Sequence, residues 1–169
     1  LGKIVYYYHN DMTFELTNNL FGNDYALTTG RYDNTALQLG STHFAVWLSK
    51  NPLVDGTPFD VVKYNFDTAK MERVTTNDYP DDNIRINTFG TFVWQAKPVG
   101  QDSEIFTSDN VTVSPLTDNQ FDDINPKIND NGWMVWQGFD GNDYEIYLFN
   151  GSVVSAVTDN DFDDVSPMI

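Results

Sequence analysis

Residues Phe121–Tyr147 read FDDINPKINDNGWMVWQGFDGNDYEIY, and at Phe162–Ile169 the chain returns to the opening of that phrase with FDDVSPMI. The return belongs to a repeat. Laying Val74–Ile86 on Leu116–Ile128, an offset of 42, matches Tyr79 with Phe121, Asp81 with Asp123, Asn83 with Asn125 and Ile86 with Ile128. Trp94 and Gln95 then fall on Trp136 and Gln137. An offset of 41 lays Val157–Ile169 on the same unit, and one of 89 lays Leu27–Leu39 on it, with Trp47 on Trp136. Self-similarity at a period of this length marks an architecture of stacked repeats.

Each unit carries the same β-like parts in the same order. A short strand follows the acidic pair, as in Thr35–Leu39 and Ile124–Ile128. An Asn/Gly turn comes next, and then an apolar-aromatic strand: Phe44–Leu48, Thr91–Gln95 or Trp133–Gln137. A third strand pairs an acidic residue with an apolar one, as in Glu104-Ile105-Phe106, Glu145-Ile146-Tyr147 and, more loosely, Asp60-Val61-Val62. A fourth, shorter strand fits Val111–Ser114 and Val153–Val157. No stretch combines 3.6-residue periodicity with caps, so almost no helix is expected.

Four short antiparallel strands in about 42 residues match a β-propeller blade, whose faces are buried only when neighbours stack on them. The fold class expected is all-β, a propeller of about four blades. The repeats fall at about residues 27–73, 74–115, 116–156, and 157–169 together with 1–26. Lys3–Tyr7 fits the second-strand slot and Thr13–Leu16 the third. Val165–Ile169 is then expected to supply the missing first strand, so that the two ends share one blade. Periodicity fixes blades and not closure, so two readings stand: a small closed ring, or part of a larger propeller, including one completed by self-association.

The bulk composition narrows the partners. Hydrophobic residues make up 40% of 169 and aromatic ones 15%, a globular and β-leaning texture. Twenty-five acidic against 9 basic residues give a net charge of −16, which repels nucleic acid and anionic membranes. No apolar run is long enough for membrane insertion. No signal peptide opens the sequence, which therefore reads as a mature or excised segment. The absence of cysteine removes disulfides, thiolate metal sites and Cys nucleophiles.

The blade phrase combines an Asp-rich entry, Asn or Ser before Pro, an Asn-Gly turn, an apolar strand and Glu-Ile-Tyr. It resembles the TolB-type β-propeller repeat over Leu27–Ile169 and in part over Leu1–Ala26. The family's Ser-Pro-Asp-Gly turn is approximated here by Asn129-Asp130-Asn131-Gly132 and by Gly40-Ser41-Thr42-His43. The resemblance implies an extracellular or periplasmic protein, because such proteins are mostly exported from bacteria. It also implies a module that binds a protein, peptide or glycan; some larger relatives are enzymes.

The acids at each blade entry are the first candidate site: Asp33, Asp81, Asp122, Asp123, Asp163 and Asp164. Repetition around a channel would bring these carboxylates together, as a site for Ca2+ or another hard cation or as a grip for a basic ligand. The competing reading ties each Asp to its own turn, and it is preferred because repeat residues usually serve the repeat. Asn83, Asn125 and Ser166, with Ala36, are expected to face the channel, where the three polar ones could touch a ligand. Trp47, Trp94, Trp133 and Trp136 are expected in the inter-blade core; Trp133, three residues before Trp136, points to the opposite face, and the alternative reading makes it an exposed aromatic platform for a sugar or peptide. Asp140-Gly141-Asn142-Asp143 reads as a hairpin turn. Catalytic equipment is thin, since His9 and His43 occupy different repeat positions. The function expected is thus a non-catalytic binding module, cation-stabilised in one version. The alternative is a polysaccharide lyase or glycoside hydrolase on a propeller scaffold.

Overall fold

A computed structural model describes residues 5–10, 13–20, 23–26, 33–40, 43–50 and 56–169, the first three segments as backbone strands only. The described residues form four antiparallel sheets and no helix. Strands β1 (Val5–Asn10), β2 (Thr13–Leu20) and β3 (Asn23–Ala26) make a three-stranded sheet. The second sheet is β4 (Asp33–Leu39), β5 (Phe44–Lys50), β6 (Asp60–Asn65) and β7 (Lys70–Arg73). The third is β8 (Asp81–Ile86), β9 (Phe92–Ala96), β10 (Glu104–Ser108) and β11 (Val113–Pro115). The fourth is β12 (Asp123–Ile128), β13 (Met134–Phe139), β14 (Tyr144–Phe149) and β15 (Val154–Ala156). Every sheet is a meander of sequence neighbours, and described connections such as Asn87–Thr91, Asn129–Trp133 and Asp140–Asp143 are short Asn-, Asp- or Gly-bearing turns.

Sequence alternation becomes two buried faces in the second and third sheets. From β5, Val46 and Leu48 point into a cluster with Ile84, Phe92 and Trp94 of the next sheet. Ala45 and Trp47 of the same strand line a separate cluster with Val62 and Phe66. Val93 and Ile105 of the third sheet meet Met134 and Trp136 of the fourth. A strand carrying bulky apolar residues on both faces cannot satisfy both within one sheet, so the sheets stack face to face. Along the chain, β4 lies beside β2, β8 packs on β4 and β5, and β12 packs on β8 and β9. The three tryptophans are at most 1% exposed.

The inner strands share one irregularity. Ala36, Asn83 and Asn125 adopt φ of 54°, 52° and 56°, and each sits where the ladder to the neighbouring strand shifts register. Ser166 repeats the conformation at 59°. A left-handed residue at a bulge turns the strand locally, and Asn tolerates it better than most residues do.

The C-terminal segment carries only the start of an inner strand. Residues 163–169 form no strand, and β1 pairs with β2 alone among the described residues. The Asp164 N–H donates to the Tyr144 carbonyl, as Asp81 and Asp123 donate to Phe59 and Ser103, so the segment sets out as an inner strand. A strand also needs a partner backbone on its other side, and none of the described strands lies there.

Candidate functional site

The acids of the blade entry divide between two tasks. One position is buried, with Asp81 at 2% and Asp123 at 4% exposure. Its Oδ1 accepts a hydrogen bond from the indole thirteen residues later, Trp94 Nε1 at 2.9 Å and Trp136 Nε1 at 2.7 Å. In the second sheet Asn34 stands in this place and accepts from Trp47 Nε1 at 3.1 Å. The Thr75 hydroxyl donates to Asp81 Oδ2 and accepts from the Val61 N–H. Asn119 Nδ2 donates to Asp123 Oδ2 at 2.6 Å, and Asn160 Nδ2 does the same for Asp164. Burial pushes Asp81 and Asp123 up to about 6, against the pull of these donors.

The other position ties the connector to the sheet before it. Asp122 Oδ1 accepts from the Ser103 N–H at 2.7 Å and from Lys97 Nζ at 3.4 Å. The Ser103 N–H is the main cause that holds Asp122 below the ordinary carboxylate range. Asp163 Oδ1 accepts from the Tyr144 N–H at 3.0 Å, and Asp33 pairs with Lys50 at 3.5 Å. The six nominated acids are thus spread over separate hydrogen-bond sets. Among the described residues, three carboxylates with ligand atoms within 4.8 Å of one another occur at Asp140, Asp143 and Glu145. None of these was nominated from sequence. The Asp-x-Glu spacing before Ile-Tyr was visible, but the turn reading absorbed the two aspartates.

Asn83 and Asn125 lie in a ladder that crosses from sheet to sheet. Asn83 Nδ2 donates to Gln95 Oε1 at 2.9 Å and to Asn125 Oδ1 at 3.0 Å. Gln95 Oε1 also accepts from the Asn125 N–H, and Gln137 Oε1 accepts from Asn125 Nδ2 and the Ser166 N–H. The left-handed kink aims these backbone N–H groups at the glutamines, so part of the polar capacity of Asn83, Asn125 and Ser166 is spent on the scaffold. Two residues beyond each asparagine stand Arg85 and Lys127, both half-buried. Burial and the nearby Arg85 charge push the Lys127 ammonium down. Among the described residues neither has an acidic partner, although the chain carries a net charge of −16.

Trp133 is 42% exposed while Trp136 is buried. His43 Nδ1 lies 2.6 Å from Asp67 Oδ2, with both side chains 55% exposed, so solvent screens the pair. His9 lies in a strand of which only the backbone is described.

Four-stranded sheets stacked face to face, with a buried indole held by the Asn34, Asp81 or Asp123 side-chain oxygen of the inner strand, define a β-propeller array. The fold is of the TolB type. A putative TolB from Agrobacterium tumefaciens superposes with a TM-score of 0.54 at 16% identity, over 86% of this chain and 60% of that one. TolB from Acinetobacter baumannii gives 0.57 at 17% identity, over 92% of this chain and 40% of that one. The β-propeller domain of the Trilobed protease from Pyrococcus furiosus, which has an open velcro topology, gives 0.57 at 10% identity over 87% and 48%. The chain therefore spans between two fifths and three fifths of these relatives' lengths. No protein-family model matches the sequence, and no curated protein matches it.

Proposed function

We propose that this chain is a non-catalytic binding module of an exported protein, and that it holds an acidic protein, peptide or glycan at its inner strands. The observation that carries the reading is the Arg85–Lys127 pair. Two cations brought together and partly desolvated repel each other, and here no described acid neutralises them. Ligand carboxylates would supply the missing charge, with guanidinium–carboxylate pairing giving orientation. Export is supported by the likeness to TolB structures alone.

Calorimetric titration with an oligogalacturonate and with an oligoglutamate peptide tests this. At least one probe should bind saturably to the wild type, and binding should fall tenfold or more in the Arg85→Ser/Lys127→Ser variant. No binding of either probe overturns the reading. A bound oligogalacturonate that is recovered cleaved would instead establish the lyase or hydrolase alternative.

The far side of the last sheet supports a second element, self-association. Val154, Val157, Phe162, Val165 and Ile169 are between 42% and 78% exposed. In a stacked array such residues are where the next blade would pack. Solution mass above that of one chain, lost on Phe162→Asp/Val165→Asp, is the expected result; a monomer at high concentration overturns it.

A further inference from the structure

We propose that Asp140, Asp143 and Glu145 form a Ca2+ site at the turn between β13 and β14. Their ligand oxygens lie within 4.8 Å of one another, a span that one cation bonding oxygens at about 2.3–2.6 Å can bridge. Asp143 is 7% exposed and Glu145 2%. Both carboxylate oxygens of Asp143 and Oε2 of Glu145 are buried and have no hydrogen-bond partner. Among the described residues no Lys or Arg pairs with any of the three. Buried carboxylates are ordinarily hydrogen-bonded, paired or bound to metal, and the first two are missing for these oxygens.

The turn is otherwise satisfied, which leaves the free oxygens pointing to a ligand. Asp140 Oδ1 accepts from the N–H groups of Asn142 and Asp143, and Glu145 Oε1 accepts from the Asn160 N–H. The oxygens left over are both of Asp143, Oε2 of Glu145 and Oδ2 of Asp140. Water would complete the six to eight ligands that Ca2+ takes. An all-oxygen set supplied by flexible carboxylates suits Ca2+ better than Mg2+, which demands a tighter octahedron. Burial pushes the Asp143 carboxyl up, the Asn142 side chain offsets part of this, and the charges of Glu145, Asp140 and Asp163 push it further. Asn142 acts on that charge without reaching hydrogen-bond geometry.

The preceding sheet supplies an internal contrast. Asp102 Oδ2 and Glu104 Oε2 stand at the repeat-equivalent places and also lack partners. Their turn is Pro98-Val99-Gly100-Gln101, with nothing equivalent to Asp140, so that place holds two carboxylates where the last sheet holds three. Among the described residues, one such site follows.

Terbium luminescence, sensitised through nearby Tyr144, and calorimetry with Ca2+ on the full chain provide the test. The expected result is one saturable Ca2+ per chain at submillimolar to millimolar concentration. Affinity should fall tenfold or more in Asp143→Asn and in Glu145→Gln, and stay unchanged in Asp102→Asn. Ca2+ should raise the melting temperature of the wild type and leave that of Asp143→Asn where it was. In the wild type, no saturable binding up to 10 mM Ca2+, or Mg2+ competing on equal terms, would overturn the assignment. Full binding retained by a folded Asp143→Asn/Glu145→Gln double variant would overturn the location.

Discussion

Acidification from near pH 7 to about pH 5 should stabilise this protein, because Asp81 and Asp123 are buried acids. In the folded chain both carboxyls are raised from 3.8 to about 6. An acid whose folded value exceeds its unfolded one binds more protons when native over the interval between them, so stability falls as pH rises through that interval. A displacement of roughly two units is worth about 3 kcal/mol per group in full, and the part lying between about pH 7 and 5 is ~1.3 kcal/mol. Together the two aspartates give ~2.6 kcal/mol, which for a chain of this size is a rise in Tm of roughly 5–10 °C. Asp60 and Glu104 are also raised by burial and add in the same direction. Asp109, Asp122 and Asp140 are lowered by backbone N–H donors, and their contribution is lost only at more acid pH. Calorimetry in calcium-free buffer reads the slope, and carboxyl NMR reads the two aspartates directly. Asp123→Asn removes one titration and should remove its share of the slope, whatever it does to the absolute Tm. A Tm that stays level or falls on acidification, or carboxyl values near 4 for both residues, would refute the reasoning.

Three substitutions test the scaffold. Trp136→Phe removes the donor to Asp123 Oδ1 and part of an inter-sheet core, so denaturant unfolding should show a loss of about 2–4 kcal/mol. Gln95→Leu leaves the Asn125 N–H and an Asn83 amide hydrogen without their acceptor, at a cost of about 1–3 kcal/mol. Hydrogen exchange at the Asn125 amide should speed up in that variant, and an unchanged rate would show that the ladder does not hold the strand. Gly138→Ala places a Cβ 2.5 Å from Asp123 Oδ1 and 2.8 Å from the Tyr147 ring, so a loss of about 1–3 kcal/mol is expected in chemical denaturation.

Much of the architecture follows from spacing alone. Trp47, Trp94 and Trp136 recur at the second-strand slot, and Asn/Gly turns separate runs of β-formers, so strand order was legible before any coordinate. The partner of each buried entry residue was implicit too, since Asn34, Asp81 and Asp123 each precede their tryptophan by thirteen residues. Which of two adjacent acids turns inward was not legible, because that depends on strand register and on the sheet stacked alongside. The same holds for Arg85 and Lys127, 42 residues apart in sequence and brought together by the stacking of β12 on β8. The group at Asp140, Asp143 and Glu145 shows the limit most clearly. Its aspartates have the chemistry of an ordinary hairpin turn, and local hydrogen bonds do satisfy that turn. Only the tertiary structure buries Asp143 and Glu145 with oxygens unpartnered, because burial is decided by residues that lie elsewhere in the chain.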